Sequence, residues 1–254
     1  MIRATFVHAE GAGPVMEQRL WNCGASSWAA FLALRRMGRL RGERMTRIAR
    51  MAWLSERALA RKEAGFFSKR LRPRDRWRLL DGFREDAAYV DVETTGLDRH
   101  RHQVTVIGLY ANSRFRVYVR GRDLDEFVPA ISRSSLIVTY GGASFDAPFL
   151  RQQFPGVELP PCVDLRYPLA RLGYTGGLKA VETAVGIVRP EHVRNLDGFD
   201  AVRLWEAYEA GDRQSLDRLI AYTKQDVENL APLAQIVRDR MPETVGFPAL
   251  AGNT

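Results

Sequence analysis

The fold of this chain is decided by residues 89–97, which read YVDVETTGL. The Val and Tyr residues predict a β-strand, in which side chains two positions apart leave the same face. Asp91 and Glu93 would therefore lie side by side. Two carboxylates this close repel each other and lose hydration in a sheet interior unless a cation neutralises them. Their oxygens suit Mg²⁺ or Mn²⁺, although a solvent-facing pair on an edge strand would have the same pattern.

The composition is that of an ordinary soluble protein, with 46% hydrophobic and 27% charged residues among 254. This length suffices for one large domain or two small ones. No run approaches the roughly 18 apolar residues of a membrane span, and no secretory leader is recognisable. We therefore expect a cytoplasmic protein without a membrane partner. Its two cysteines, Cys23 and Cys162, have no neighbours that would form a zinc knuckle.

The net charge of +8 is spread unevenly. Residues 1–85 contain 19 Lys and Arg against 8 Asp and Glu, a charge of +11, whereas residues 86–254 carry −3. A basic first part followed by a mildly acidic second part suggests a segment that binds a polyanion, joined to a domain with a different function. We predict a basic helical nucleic-acid-binding domain over residues 1–85, a second domain over residues 86–240, and a C-terminal tail over residues 241–254.

Within the first domain, residues 9–32 are typical of short packed helices. The turn at residues 11–14, GAGP, can open a helix, Gly24 can end it, and Ser26 or Ser27 can cap the next one. The pattern resembles helix-hairpin-helix modules, whose glycine turn contacts a nucleic-acid backbone. A compact helical cap with a tight turn would have the same pattern.

The charge is densest between residues 35 and 78. Arginines recur there at three- and four-residue steps, which on a helix forms a broad cationic face. The aromatic residues Trp53, Phe66, Phe67 and Trp77 are interleaved with them. Arginines and aromatic rings together are typical of single-stranded nucleic-acid grooves, although a solvated helical face over core aromatics is the alternative. Residues 72–75 and 81–82, RPRD and DG, indicate a linker.

From residue 87 the pattern changes to short β-prone runs. Three consecutive antiparallel strands are predicted, with a turn at residues 111–113. A helix, an apolar fourth strand, a second helix, a short fifth strand and further helices follow, at residues 124–132, 136–140, 146–154, 162–165 and from 166 onward. We therefore predict an α/β fold, with a mixed five-stranded sheet covered by helices on both faces and preceded by the small all-α domain.

Two further acidic signals follow the first. Asp146 comes after the fourth strand and opens the next helix, at the kind of crevice where α/β sheets bind ligands, although it could be a plain helix cap. Tyr222 and Asp226 are four residues apart in a helical stretch, so they share a face. Taken singly, each of these signals is weak.

Together the three segments resemble the 3′–5′ exonucleases of the ribonuclease H-like superfamily, in the DEDD group with a motif tyrosine. The resemblance covers about residues 86–240. It rests on Asp91 and Glu93 in DVETTGL, on Phe145-Asp146, and on Tyr222 with Asp226; Ala221 stands where the histidine subtype would have histidine. The segments at residues 140–146, 163–166 and 177–182 look most like the YprB-type branch.

The resemblance implies a nuclease that hydrolyses phosphodiester bonds of DNA or RNA with two divalent ions, Mg²⁺ or Mn²⁺. Asp91 would bridge the ions, Glu93 and Asp226 would hold the ion carrying the nucleophile, and Asp146 would hold or orient the other. Tyr222 would position the attacking water. The residues expected to contact the substrate are Thr94, Thr95, Leu97, Phe145 and Lys179.

Several alternatives stay open at this point. The chain could be a non-catalytic nucleic-acid-binding module with a retained fold, or a structure-directed endonuclease. Gly141 stands near where motif II commonly has Asn, so one substrate contact could be missing. Arg189 could touch phosphate or be a surface charge, and Glu182 could be a buried structural acid or a surface residue. Asp164, at the end of the fifth strand, could support the metal site from behind its ligands or cap a helix, and the cap is favoured. The sequence does not indicate DNA rather than RNA, or the oligomeric state.

Overall fold

A computed structural model describes residues 1–248 and divides the chain into two compact units. The first unit combines Met1–Arg84 with the chain from Ile236 onward, and the second unit is Glu85–Gln235. Of the predicted tail, residues 241–248 belong to the first unit, and residues 249–254 lie outside the described part. In the part of the chain that the structure describes, no helix combines the length and the hydropathy needed to cross a membrane.

The described residues form twelve α-helices, five β-strands and four 3₁₀ turns. The helices are α1 (Pro14–Asn22), α2 (Trp28–Arg36), α3 (Glu43–Ala60), α4 (Ala64–Ser68), α5 (Leu79–Gly82), α6 (Phe127–Ile131), α7 (Asp146–Gln153), α8 (Arg166–Arg171), α9 (Leu178–Ala184), α10 (Glu191–Arg194), α11 (Gly198–Glu209) and α12 (Arg213–Thr244). The strands are β1 (Ala87–Thr94), β2 (Val104–Ala111), β3 (Arg114–Val119), β4 (Leu136–Thr139) and β5 (Cys162–Asp164). The 3₁₀ turns are Ile2–Ala4, Pro73–Arg78, Arg84–Asp86 and Leu124–Glu126.

The first unit is helical, as its sequence predicts. Gly13 precedes α1 with Pro14 at the first helical position, where a missing N–H costs nothing. Gly24 follows the helix with φ +93°, a backbone conformation that favours glycine, and the Ser27 hydroxyl accepts a hydrogen bond from Ala30 N to cap α2. The predicted helix end and the second of the two predicted caps are thus confirmed.

Three details of the first unit differ from prediction. Phe67 and Trp77 are fully buried in its core, so they cannot stack on a nucleic-acid base. The arginines between residues 35 and 50 are split between α2, a loop and α3, because α2 ends at Arg36. The predicted linker is part of the folded unit: residues 73–82 form a 3₁₀ turn and α5, which bury their apolar side chains beside Phe83.

A buried ion pair ties the start of this unit to its later turns. Arg78 donates to the Glu17 carboxylate through Nη2 at 2.9 Å and Nη1 at 3.1 Å, and both side chains are almost fully buried. Glu17 also accepts from the backbone N–H groups of Phe6 and Val7 at 2.6 and 3.1 Å. The two charges match each other, as buried ions require, although Arg78 Nε has no hydrogen-bond partner among the described residues.

The second unit has the predicted mixed sheet, with strand order β3-β2-β1-β4-β5. Strands β1, β2 and β3 are antiparallel neighbours, whereas β4 and β5 run parallel to β1. Asn112 and Ser113 form the tight turn between β2 and β3 with positive φ. Because β1, β4 and β5 are parallel, their carboxyl ends meet at one edge of the sheet. Glu93 near the end of β1 and Asp146 after β4 lie at this edge, and Asp146 was predicted at such a crevice.

Each face of the sheet has its own core. One core combines alternate residues of β1, including Val90 and Val92, with α6 and α7. The other combines Val106 and Val119 with α11 and α12. Since side chains alternate along a strand, Asp91 and Glu93 point away from the first core and toward the α12 side. The register of the sheet therefore decides which helix meets the two carboxylates.

Candidate metal centre and substrate cleft

Three carboxylates converge where β1 meets α12. Asp91, Glu93 and Asp226 each offer an oxygen atom, and these atoms lie within 4.8 Å of one another. Glu93 and Asp226 are buried, and Asp91 is half-buried. Asp226 is more than 130 positions from Asp91 and Glu93 in sequence, so only the fold brings it to them. Oxygen donors packed this closely are the ligand set that hard divalent cations prefer.

A close approach of α12 to the sheet places Asp226. Asp91 pairs across the ladder with Gly108 of β2. A Cβ atom on Gly108 would lie 2.6 Å from Thr223 Cγ2 and 3.0 Å from Val227 Cγ1, so only glycine admits the helix at this distance. The Thr223 hydroxyl donates to Leu219 O at 3.0 Å and lies 3.5 Å from Glu93 Oε1. Gly108 thus sets the spacing between the two halves of the cluster.

The fourth carboxylate, Asp146, begins α7 after a turn that Asp164 fixes. Asp164 accepts hydrogen bonds from the backbone N–H groups of Gly141 at 2.8 Å, Ala143 at 3.1 Å and Arg166 at 2.9 Å. The N-cap of α8 is Leu165 and no side chain caps this helix, so the helix cap predicted at Asp164 is not found. Asp164 instead holds the turn that leads to Asp146. A Cβ atom on Gly142 would lie 2.4 Å from Asp146 Oδ2, so the turn lies directly against this carboxylate.

Asp146 is 4% exposed, and its Oδ2 atom has no hydrogen-bond partner among the described residues. A buried carboxylate oxygen without a partner is costly, and a bound cation would relieve that cost. Asp146 does not belong to the three-carboxylate cluster itself. The donor set and this unpartnered oxygen together fit a divalent cation.

A buried arginine closes the far side of the cluster. Arg189 donates to Asp226 through Nη2, and to Glu182 through Nε at 2.5 Å and Nη2 at 2.7 Å. Asn229 donates to Glu182 at 3.0 Å. Glu182 is thus a buried, hydrogen-bonded acid rather than a surface residue, and Arg189 is a buried partner of the cluster rather than a surface charge.

A protein-family model matches the part of the chain that contains this site. The family model described as the RNase_H superfamily matches residues 88–238. The chain belongs to the RNase H superfamily. No curated protein sequence matches the chain.

Solved structures show a distant likeness. NrnC from Brucella melitensis bound to pGG is 22% identical, with 66% of this chain and 78% of that chain covered and a TM-score of 0.47. NrnC from Brucella melitensis with bound Mg²⁺ is 22% identical, with coverage of 66% and 79% and a TM-score of 0.45.

The residues matched by the RNase H superfamily model include all four carboxylates. Burial and mutual repulsion disfavour the ionised form of these carboxylates. Burial and then the negative charge of Asp226 raise the pKa of Asp91 to about 8. Burial and the charge of Asp91 raise the pKa of Glu93 and the pKa of Asp146 well above their ordinary values. Burial also raises the pKa of Asp226, but only to about 6, because Arg189 offsets part of the effect. The cluster therefore favours a bound proton or a bound cation.

Tyr222 lies one helical turn before Asp226 and between two cations. Lys179 Nζ is 5.1 Å from the centre of its ring, and Arg189 Cζ is 5.6 Å from it. Burial, followed by the charges of Asp226 and Glu93, raises the pKa of Tyr222 above its ordinary value. The phenol therefore stays protonated at neutral pH and can donate a hydrogen bond. Lys179 is thus beside the carboxylate site.

A largely apolar cleft of about 810 Å³ opens beside Glu93. Four of the residues predicted to contact substrate line it, namely Thr94, Thr95, Leu97 and Phe145. Leu97 is 73% exposed, and the Thr95 hydroxyl lies 3.2 Å from His102 Nδ1. The opposite wall comes from the start of α11, where Phe199 is 66% exposed.

Sequence reasoning predicted the four carboxylates, Tyr222 and the substrate residues, and the structure gathers them around one sheet edge. It missed Phe199 of the cleft wall and Gly108 beneath α12. Phe199 follows a clear helix cap, the Asp197–Asp200 capping box, but nothing in the sequence connects that helix to Glu93. An isolated glycine in a β-prone run is a recognised signal of close approach, so Gly108 could have been found.

Proposed function

We propose that this chain is a metal-dependent nuclease, and specifically a 3′–5′ exonuclease that hydrolyses phosphodiester bonds of DNA or RNA. The observation that carries the proposal is the convergence of Asp91, Glu93 and Asp226 within 4.8 Å, with the unpartnered Asp146 carboxylate at the same sheet edge. The motif tyrosine supports the tyrosine-bearing DEDD subtype. The segments at residues 140–146 and 163–166 support the YprB-type branch.

The carboxylates would hold two divalent ions, Mg²⁺ or Mn²⁺, with Asp91 shared between them. Glu93 and Asp226 would hold the ion on the nucleophile side, and Asp146 would hold or orient the other. When bound, such ions supply a more acidic water and stabilise charge on the attacking and leaving oxygens. Arg189 holds Oδ1 of Asp226, and the Tyr222 phenol is a further hydrogen-bonding neighbour of this carboxylate.

Tyr222 is proposed to position the attacking water. Its raised pKa keeps the proton on the phenol at neutral pH, so Tyr222 orients the water by hydrogen bonding rather than by removing a proton. The burial of the carboxylates limits access of other water molecules. These residues together would hold the nucleophile at the sheet edge.

The cleft beside Glu93 is proposed to take the terminal nucleotide. Its apolar wall, with Leu97, Phe145 and Phe199, suits the faces of a base. Thr94 and Thr95 line the same cleft, and their hydroxyl groups are held within the chain, by Gly96 O at 2.7 Å and by the backbone N–H of Gln103 at 3.1 Å. Lys179 beside Tyr222 is proposed to contact a phosphate. We propose that the cleft takes the end of a strand, as an exonuclease requires, rather than the interior of a strand, as a structure-directed endonuclease would.

The experiment uses oligonucleotides labelled at either end, as single strands, duplexes and overhangs of DNA and RNA, with Mg²⁺ and with Mn²⁺. Release of mononucleotides from the 3′ end that is lost in the Asp91→Asn and Asp226→Asn variants would support the proposal. Unchanged release in both variants would refute it. Cleavage of a circular strand would identify an endonuclease instead.

Calorimetry with Mn²⁺ separates the enzyme from a non-catalytic binding module. The nuclease is expected to bind Mn²⁺ at the carboxylates, with binding lost in Asp226→Asn. A protein that binds nucleic acid but no metal would be the module. The first unit is proposed to bind nucleic acid in either case, because its sequence carries the excess positive charge of +11 over residues 1–85.

A further inference from the structure

One tryptophan of the first unit is exposed. The side chain of Trp53 on α3 is 52% exposed, whereas the other four tryptophans are at most 7% exposed. Trp53 is also the only large hydrophobic residue of α3 that is exposed in the described structure. A single exposed apolar residue is common on protein surfaces. Trp53 is of interest because tryptophan is enriched at binding interfaces and because its neighbours on α3 are arginines.

The residues around Trp53 form a defined surface, here called the α3 outer face. Positions separated by three or four residues share one side of a helix, and the buried side of α3 is occupied by small and aliphatic residues, among them Ile48 and Ala52. The outer face carries one ring among cations. Its members are Arg47, Arg50, Trp53, Arg57 and Arg61.

Two of these arginines are available to a ligand. In the described part of the chain, Arg50 and Arg57 form no salt bridge, whereas Arg47 pairs with Glu43 at 2.7 Å and Arg61 lies 3.8 Å from Glu63. The guanidinium carbon of Arg57 lies 4.6 Å from the centre of the Trp53 ring. Arg57 therefore holds the ring in place while the rest of its surface stays open.

We propose that the α3 outer face binds single-stranded nucleic acid, with an unpaired base stacked on Trp53 and backbone phosphates contacted by Arg50 and Arg57. The ring and the cations match the two parts of a nucleotide, since bases stack on aromatic side chains and phosphates pair with guanidinium groups. A duplex keeps both faces of its bases covered. The inference rests on the proposed function and names the unpaired strand as the form of substrate that the first unit holds.

Other partners fit this surface less well. A helix that lies on a membrane needs a broad apolar side, and here one ring stands among arginines. An acidic protein segment would satisfy the charges but would leave Trp53 without a stacking partner. Charge complementarity together with the single ring therefore selects an unpaired strand.

The test uses the full chain carrying Asp91→Asn, without divalent metal, so that binding is measured whether or not the protein cleaves nucleic acid. Tryptophan fluorescence is followed while an oligonucleotide is added, because Trp53 is the one solvent-accessible reporter among the five. A single strand is expected to quench this signal and to protect it from acrylamide. A duplex of equal length, heparin and anionic phospholipid vesicles are expected to leave the acrylamide-accessible fraction unchanged.

Trp53→Leu, which removes the ring and keeps an apolar side chain, is expected to weaken single-strand binding about tenfold, measured by anisotropy of a labelled oligonucleotide. Arg50→Gln and Arg57→Gln are each expected to reduce the salt dependence of binding by about one phosphate contact. Met37→Ala, at another exposed apolar residue of the same unit, is the matched control and is expected to bind normally.

Wild-type affinity in Trp53→Leu, with its circular dichroism unchanged, would overturn the inference. Equal protection of Trp53 by duplex, heparin or vesicles would overturn it as well, and would assign the surface to that ligand. These results do not depend on hydrolysis. If the protein cleaves nucleic acid but its binding does not depend on Trp53, only this inference is refuted. If binding depends on Trp53 but no cleavage occurs, only the proposed nuclease activity is refuted.

Discussion

Arg189 donates a hydrogen bond to Asp226, a carboxylate proposed to hold a metal ion, while the same guanidinium pairs with Glu182. The interaction places a fixed positive charge directly behind the cluster. The charge of Arg189 lowers the repulsion among the carboxylates. Arg189 also competes with any bound cation for the carboxylate oxygens of Asp226. Arg189 thus couples the stability of the second unit to the occupancy of its acidic site.

Arg189→Met is expected to destabilise the protein by roughly 3–5 kcal/mol, because it leaves two buried carboxylates without their cation. Thermal unfolding monitored by circular dichroism measures the loss. Added Mn²⁺ is expected to raise the melting temperature of this variant more than that of the wild type, since the ion then replaces the missing charge.

The matched control is Arg78→Met in the first unit, which breaks a buried Arg–Glu pair with the same exposed fractions. It is expected to lose comparable stability without any additional gain from Mn²⁺. An equal gain from Mn²⁺ in both variants would show that Arg189 does not act on the carboxylate site.

The stability of the metal-free protein should depend on pH in a specific direction. The pKa of Asp91 is raised in the folded state to about 8, from 3.8. The folded protein therefore binds more protons than the unfolded chain between these values, so its free energy of unfolding falls as the pH rises through that range. Asp226, with a pKa of about 6, contributes over the lower part of the range.

Chemical denaturation at pH 5 and pH 8 in the presence of a chelator measures this effect, and the protein is expected to be less stable at pH 8. Asp91→Asn should flatten the dependence, and saturating Mg²⁺ should reverse it by binding the ionised carboxylates. A metal-free wild-type protein that is more stable at pH 8 would contradict the assignment of raised pKa values.

Tyr222→Phe is expected to lower kcat roughly a hundredfold, by analogy with the loss of one preorganised hydrogen-bond donor. Because the phenol is protonated on both sides of neutrality, the pH profile of kcat should keep its shape. Affinity for Mn²⁺ by calorimetry should be unchanged, since the phenol is not among the proposed ligands. Tyr208→Phe in α11 is the control and should retain wild-type kcat. A changed pH profile in Tyr222→Phe would instead identify the phenol as a proton carrier.

Gly108→Ala is expected to destabilise the second unit by roughly 1–3 kcal/mol, because the new methyl group would meet Thr223 and Val227 at 2.6 and 3.0 Å. The strain should push α12 from β1 and weaken Mn²⁺ binding, since Asp226 lies between these two contacts. Gly198→Ala has no heavy atom within 4 Å of its added carbon and serves as the control. Normal Mn²⁺ affinity in Gly108→Ala would show that the spacing of α12 does not set the site.

Much of the second unit was predictable because its signals are local. The β-prone runs, the turn at Asn112 and the apolar fourth strand depend on near neighbours in sequence, and all were found. The acidic motifs could be brought together in advance because their order and spacing resemble those of the DEDD exonucleases, whereas Asp226 lies on α12 and no local signal places that helix against β1. Arg189 could not be assigned, because its partners Glu182 and Asp226 lie 7 and 37 residues away and depend on how α9 and α12 pack.

The core of the first unit was harder to predict because its buried aromatic residues are surrounded by arginines in the sequence. A dense run of charge suggests a solvated linker or groove, yet Trp77 and Phe67 are buried among the same residues. Sequence cannot tell a ring that faces water from one that faces the core when basic residues surround both. Trp53 is exposed in the structure, whereas Phe67 and Trp77 are buried. The predicted nucleic-acid-binding surface is therefore restricted to the α3 outer face.

The first unit is assembled from both ends of the described chain. Phe247 packs within it, with its ring centre 4.6 Å from that of Trp21 and 5.9 Å from that of Trp77. A ribosome delivers Phe247 only after the whole second unit has been made, whereas domains generally fold as they emerge. During synthesis, the basic helices therefore lack the contact of Phe247 with Trp21 until the sheet and its carboxylates have been made. The part proposed to hold nucleic acid becomes fully formed last, although most of its residues precede the second unit in the chain.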